Sequence, residues 1–268
     1  MNNFLLRSFA PIYGQHLNTL AVIGYGLVLS MLVILVLDAN TSVFLFFNRA
    51  SDVTGTALWA NTTMIGEGLI VLSLTGLVAV RWPAAAWAMV IGAIVGSIIV
   101  HGLKESVGAL RPASMLPQGS FNIIGPRLTM SSFPSGHTAT ISGFATIIFL
   151  HARNRWVSAS LLVLVVMVGV SRMVVGAHWP LDVLAGWLVG ILYAAISVAL
   201  ADRWLFGLKT PTQFGIIVLS LLCAGALFWI DPYMADVTVL RWMIAATGLV
   251  SGAWALVITR QRHRKTDS

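Results

Sequence analysis

Apolar runs of about 20 residues recur along this 268-residue chain, each long enough to cross the roughly 30 Å hydrocarbon layer of a bilayer as a helix. In lipid every backbone amide must bond within the protein, so such runs are either packed helices or strands of a closed barrel. The alternation of apolar and polar residues that marks barrel strands is missing from the sequence. The chain is therefore expected to be all-α, a polytopic transmembrane helical bundle of about eight spans. They are placed at about 19–37, 58–80, 84–103, 137–152, 156–174, 180–201, 212–230 and 239–258. With only 9% charged residues, an ordinary soluble domain, in which about a quarter of residues are charged, is excluded. Residues 1–18 read as an interfacial lead-in. The run from Leu20 to Leu37 is too long for a signal-peptide core and reads as an uncleaved first span. Val43–Phe47 is apolar but too short to cross, and is expected to lie at the surface. The single cysteine, Cys223, lies in an apolar run and reads as a small core residue.

The net charge of +7 reflects orientation in the membrane rather than nucleic-acid binding. With eight spans and a cytoplasmic N-terminus, the inner segments carry Arg7, Arg81, Arg153, Arg155, Arg203, Lys209, Arg260, Arg262, Arg264 and Lys265. The outer segments carry Arg49, Lys104, Arg111, Arg127, Arg172 and Arg241. That division, ten against six, predicts both termini in the cytoplasm by the positive-inside rule. Trp59, Trp82, Trp156, Trp179, Trp204, Trp229 and Trp242 fall near span ends, as an interfacial aromatic belt does.

Three polar islands interrupt the apolar sequence, and the same topology puts all of them on the outer face. They are Lys104-x6-Arg111-Pro112, Pro134-Ser135-Gly136-His137 and Ser171-Arg172-x5-His178-x3-Asp182. Ionisable groups next to lipid are expensive and mark functional sites with partners nearby. Breaking a phosphate bond requires the phosphoryl charge to be neutralised and a nucleophile to stand in line. Arginine grips phosphate with its planar fork and lysine as a point charge, so Lys104, Arg111 and Arg172 suit the first task without a metal. Ser135, Gly136 and His137 open a helix whose backbone N–H groups can also face an anion. His178 and Asp182, four apart, share a helix face. A carboxylate on one ring nitrogen fixes the tautomer and leaves the other nitrogen free to attack. His137 then remains to protonate the leaving oxygen.

Together, in this order and at these spacings, the islands resemble the three-part signature of the type 2 phosphatidic acid phosphatase superfamily. Its integral-membrane members include lipid phosphate phosphatases, undecaprenyl diphosphate phosphatases, lipid A phosphatases and glucose-6-phosphatases. The resemblance covers about residues 58–200. It implies a six-helix core and phosphoryl transfer through a phosphohistidine, with neither metal nor cofactor. Carried over by position, His178 would be the nucleophile, Asp182 its partner and His137 the general acid. Lys104, Arg111, Ser135, Gly136 and Arg172 would bind phosphate. Soluble haloperoxidases share the signature around vanadate, but eight apolar spans argue against one. Residues 1–210 are expected to form the core, and 211–268 two additional spans with a basic cytoplasmic tail.

The expectation is an integral-membrane lipid phosphatase of a bacterial inner membrane, with its site facing the periplasm. It would act on a lipid phosphate or diphosphate, undecaprenyl diphosphate first, and its partners would be that substrate and membrane lipids, with no nucleic acid. Phosphatidylglycerophosphate, phosphatidic acid and lipid A are open alternatives, as is a phosphotransferase that passes the phosphoryl group to another acceptor. A transporter or binding protein would need the cations but not two histidines, one of them backed by an aspartate. Glu67, between Gly66 and Gly68 in the second span, reads either as a buried partner of an outer-face cation or as part of a lipid access path. It is expected to support rather than perform the chemistry. His101 could touch substrate but reads more simply as interfacial, and Arg127 as a headgroup contact or a solvated loop cation. His16, His151 and His263 fall on the cytoplasmic side.

Overall fold

The computed structural model describes residues 10–152, 154–230 and 234–266. Arg7 with the rest of residues 1–9, and Arg153, lie outside the described residues, as do the side chains of Arg262, His263, Arg264 and Lys265. The described residues contain helices and no strand. In chain order these are α1 (Ala10–Val36), α2 (Asn40–Asn48), α3 (Ala50–Thr54), α4 (Thr56–Met64), α5 (Gly68–Ser73), α6 (Thr75–Arg81) and α7 (Pro83–Val107). They continue with α8 (Pro112–Met115), α9 (Gly136–His151), α10 (Arg155–Val174), α11 (Pro180–Arg203), α12 (Thr210–Ala226) and α13 (Thr238–Thr266).

Each of the eight apolar segments is helical, but they are not equivalent. Five helical stretches, starting at His16, Pro83, Arg155, Pro180 and Thr238, are long and apolar enough to cross a membrane unaided. A sixth crossing is possible as a bent pair, Thr56–Met64 with Gly68–Arg81, which turns by 59°. α12 is a shorter apolar helix, and α9 has 16 residues. The expectation of one continuous span over 58–80 is thus corrected. Gly66 and Gly68 flank Glu67, whose backbone is extended (φ −69°, ψ 133°) and caps α5. Two helix-poor residues beside a carboxylate break the ladder where an unbroken helix had been expected.

The core lies among α7, α9 and α11, and small residues allow the close approach. In lipid, helices associate through packing rather than hydrophobic drive, which favours such residues at interfaces. A Cβ on Gly190 of α11 would come within 2.5 Å of Ser142 Cβ and 2.7 Å of the Ala139 carbonyl oxygen on α9. Tyr193 of α11 fills the space that Gly92 and Gly96 of α7 and Gly143 of α9 leave open, and its hydroxyl donates to the Ala139 carbonyl at 2.9 Å.

The C-terminal pair α12–α13 packs on the broken span. At the second break, between α5 and α6, Ser220 of α12 donates to the Ser73 carbonyl at 2.7 Å and accepts from the Gly76 N–H at 3.0 Å. Backbone freed by a break at membrane depth needs such partners, and a neighbouring serine is one of the few available.

α2 lies at the end of the bundle that carries the polar islands. The expected surface segment Val43–Phe47 is part of this helix, and one side of it is inside the protein: Phe44 is fully buried, in edge contact with Trp179 at 5.1 Å. Asn40 Oδ1 accepts from the Leu181 N–H (3.2 Å) in the first turn of α11. Asn48 Nδ2 donates to the Met173 and Val174 carbonyls (3.1 and 3.0 Å) at the end of α10. One short helix thereby brackets both ends of the α10–α11 turn.

Replacing Gly190 by alanine should cost about 1–3 kcal/mol by overpacking, read as a fall in melting temperature in detergent. Gly215→Ala, on α12 with nothing within 4 Å of the added carbon, should leave the melting temperature unchanged or raise it slightly.

Candidate active site

The turn between α10 and α11 is formed by Gly176, Ala177, His178 and Trp179. Gly176 has φ 77°, and a Cβ there would strike the Asn122 carbonyl at 2.5 Å, so the turn accepts only glycine without rearrangement. Pro180 opens α11, where its missing N–H is no loss. Asp182, two residues on, accepts from the Trp179 N–H at 2.8 Å. A helix-start preference thus aims a carboxylate back over the turn.

His178 is 2% exposed. Its Nδ1 stands 3.4 Å from Asp182 Oδ2 and its Nε2 3.3 Å from Arg111 Nη1. A guanidinium can only donate, so Nε2 must be the bare nitrogen and Nδ1 the protonated one facing Asp182. Burial above all, then the charges of Arg172, Arg111 and Lys104, hold this imidazole well below its ordinary titration range. The ring is neutral at pH 7 and its Nε2 lone pair needs no further deprotonation.

The same Asp182 oxygen takes a 2.5 Å hydrogen bond from Ser132 Oγ, and the Asp182 carbonyl accepts from the Ser135 N–H at 2.9 Å. Ser132, fully buried, is a site residue that sequence reading missed. A serine two residues before Pro134 carries no pattern that could have marked it. The loop connecting α7 to α9 is held over the site by such bonds. Arg111 is 8% exposed; its Nε donates to the Met130 carbonyl (2.7 Å), and Nη1 also donates to Ala177 (3.0 Å). Lys104 Nζ donates to the Ser131 carbonyl at 2.5 Å.

Arg172, on the last turn of α10, is 5% exposed and donates through Nη1 to Thr63 Oγ1 of α4. Its Nε is buried, with no partner among the described residues. A buried guanidinium N–H without an acceptor is costly, and an anion beside it would supply what is missing. Thr63 is a second residue that sequence reading did not single out. Among the described residues no three His, Cys, Asp or Glu side chains come together as a metal site would require. Positive charge at the site comes from Lys104, Arg111 and Arg172.

Ser135 caps α9 and is fully buried, its hydroxyl accepting from Thr138 Oγ1 at 2.8 Å. Gly136 and His137 form the first turn of α9, where backbone N–H groups have no earlier turn to bond. His137 Nε2 lies 3.4 Å from Glu67 Oε1. A cavity of about 310 Å³ opens beside this pair. His101 lines it from α7, exposed, with Nδ1 bonded to the Ser97 carbonyl at 2.8 Å. Below His137 the cavity is bordered by Gly68, Gly92, Gly96, Phe144 and Ile147. Ile147 is ten residues along α9 from His137, or about 15 Å at 1.5 Å per residue. All three islands are thus joined at one end of the bundle: Lys104 and Arg111 to the 130–131 backbone, Arg111 to His178, and Ser135 to Asp182. Arg127 lies apart from this set, on the Ala113 carbonyl at 2.8 Å. His16 stacks on Phe149 near the far end of α9, remote in sequence position from His137.

The family described as the PAP2 superfamily matches residues 85–206, which contain all three polar islands. The undecaprenyl-diphosphatase of Sulfolobus acidocaldarius is 28% identical over 162 residues, 59% of this chain and 77% of that protein. The bacitracin transport permease protein BcrC of Bacillus licheniformis is 37% identical over 111 residues, 40% of this chain and 52% of that one. The lipid A 1-phosphatase of Rhizobium johnstonii is 28% identical over 113 residues, covering 41% and 45%. This chain therefore spans only about half the length of the latter two. The crystal structure of Aquifex aeolicus LpxE superposes with a TM-score of 0.56 at 27% identity, over 60% of this chain and 94% of that one. Residues 85–206 of this all-helical chain thus carry a PAP2 superfamily domain, and the proteins it resembles there include an undecaprenyl-diphosphatase and a lipid A 1-phosphatase.

Proposed function

We propose that this protein hydrolyses a lipid phosphate or diphosphate, undecaprenyl diphosphate before others, through a phosphohistidine on His178. The observation that carries the reading is the chain Asp182–His178–Arg111, with the unpartnered Nε of Arg172 beside it. Incoming phosphate oxygens draw the Arg111 N–H away from His178 Nε2 and accept from the unpartnered Nε–H of Arg172. The freed lone pair forms a P–N bond while the bond from phosphorus to the leaving oxygen breaks. Asp182 stabilises the charge that appears on the ring, as a carboxylate does for an attacking histidine's proton-bearing nitrogen. His137 gives its proton to the leaving oxygen. In the second half, His137 takes a proton from water as the water oxygen attacks phosphorus, the P–N bond breaks, and phosphate departs. Lys104, Arg111, Arg172 and the N–H groups at Ser135 and Gly136 carry the phosphoryl charge throughout.

The cavity beside His137 supports a lipid substrate arriving sideways with its headgroup at the islands. Its small volume and its lining of glycines with Leu72, Met89, Phe144 and Ile147 suit one narrow apolar chain, which favours a polyprenyl tail over a multiply acylated lipid A. The ten-to-six division of cations supports a site on the non-cytoplasmic face, with both termini inside. We assign residues 1–210 to the phosphatase core and 211–268 to a buttress for the broken span, as the Ser220 bonds suggest.

Phosphate release should be measured in detergent with excess EDTA from undecaprenyl diphosphate, phosphatidylglycerophosphate, phosphatidic acid and lipid A. Undecaprenyl diphosphate should be cleaved fastest, EDTA should not matter, and His178→Ala should fall to background. Phosphate appearing on an acceptor lipid instead of in water would identify a phosphotransferase. Ser132→Ala should lower kcat by about 10- to 100-fold, the worth of one hydrogen bond to a charged group, with KM nearly unchanged.

A further inference from the structure

Glu67 lies outside the family-matched residues 85–206, in a span that none of the signature occupies. Yet the second span is broken at this residue, and the break is fitted closely to His137. A Cβ on Gly66 would come within 2.8 Å of His137 Cβ, 3.0 Å of its carbonyl oxygen and 2.9 Å of Val168 Cγ1. Only a glycine before Glu67 lets the elbow approach α9 so nearly. The extended backbone of Glu67 then directs its carboxylate to His137 Nε2 at 3.4 Å. Both side chains line the cavity, and they are 44% and 27% exposed. An ion pair that merely held helices together would gain most by closing away from that space. This one faces where a substrate would lie.

We propose that Glu67 is the positioning residue for the general acid. It holds the His137 ring by Nε2 and supplies a counter-charge to the protonated imidazole, so that the other ring nitrogen presents its proton to the leaving oxygen. The proposal rests on His137 being the general acid. The two histidines then share one device with opposite roles. Asp182 orients His178 so that a lone pair faces phosphorus, and Glu67 orients His137 so that a proton faces the leaving group. A protonated imidazole in a site built of cations needs a nearby carboxylate.

The test varies the leaving group. Short-chain phosphates carrying nitrophenol, phenol or a plain alkanol are hydrolysed by wild type, Glu67→Gln, Glu67→Asp and His137→Ala, each checked for an unchanged melting temperature. A nitrophenolate leaves without a proton, whereas an alkoxide needs one. His137→Ala should lose about 10²–10⁴-fold on the alkyl phosphate and little on the nitrophenyl one. Glu67→Gln should follow the same slope with a smaller loss, about 10- to 100-fold on the alkyl phosphate, and Glu67→Asp should recover part of it. Equal losses on all leaving groups, or a change in KM alone, would overturn the proposal in favour of a scaffold or lipid-access role. No loss in Glu67→Gln would overturn it outright. If His137→Ala itself is indifferent to the leaving group, the general-acid reading fails first and takes this proposal with it.

Discussion

The long loop and the α10–α11 turn meet on one buried carboxylate. Asp182 Oδ2 accepts from Ser132 in the long loop, from the Trp179 N–H in the turn and from His178, while the Asp182 carbonyl accepts the N–H that opens α9. A carboxylate shut away from water is unfavourable unless several donors satisfy it. Here the donors are the elements that must be registered against one another for the site to exist. Removing the carboxylate would leave the His178 ring without its orienting partner and the loop without its anchor. The same constraint fixes the histidine tautomer, because Arg111 on the other side of the ring can only donate.

Around that centre the bundle solves a membrane problem. α7, α9 and α11 gain proximity from glycines at their contacts, and Tyr193 fills the shared space. The second span sacrifices continuity to bring Thr63 to Arg172 and Glu67 to His137. Its exposed backbone at the lower break is answered by Ser220 from the C-terminal pair. These two helices therefore bear on the site indirectly, through the segment that carries two of its supporting side chains.

The helical class and the three polar islands were legible in the sequence because lipid imposes long apolar runs and because charges within them are rare enough to read singly. Lys104 and Arg111 both donate to the Ser131 carbonyl, and Arg111, His178 and Asp182 form one bonded chain. What was hidden depends on packing. Gly-Glu-Gly inside an apolar run is compatible with an ordinary membrane helix, and only the facing surface of His137 and Val168 shows why the chain turns there. Ser132 and Thr63 are common polar residues with no periodicity to mark them, and their roles come from where a distant carboxylate and guanidinium fall. The short stretch Val43–Phe47 was recognisable as non-spanning, but its clamping of α10 and α11 comes from Asn40 and Asn48 at its flanks. Neither asparagine stood out from the sequence.

The central claim is that phosphorus passes through a covalent bond to His178. The most direct measurement is to stop turnover in alkali, where a phosphoramidate survives, and locate the phosphoryl group by mass spectrometry. The account predicts a phosphate on His178, absent from His178→Ala and accumulating when His137 is replaced and a good leaving group is supplied. Phosphate on His137 or Ser135, or turnover with no labelled residue in a sample quenched at steady state and in His137→Ala alike, would contradict it.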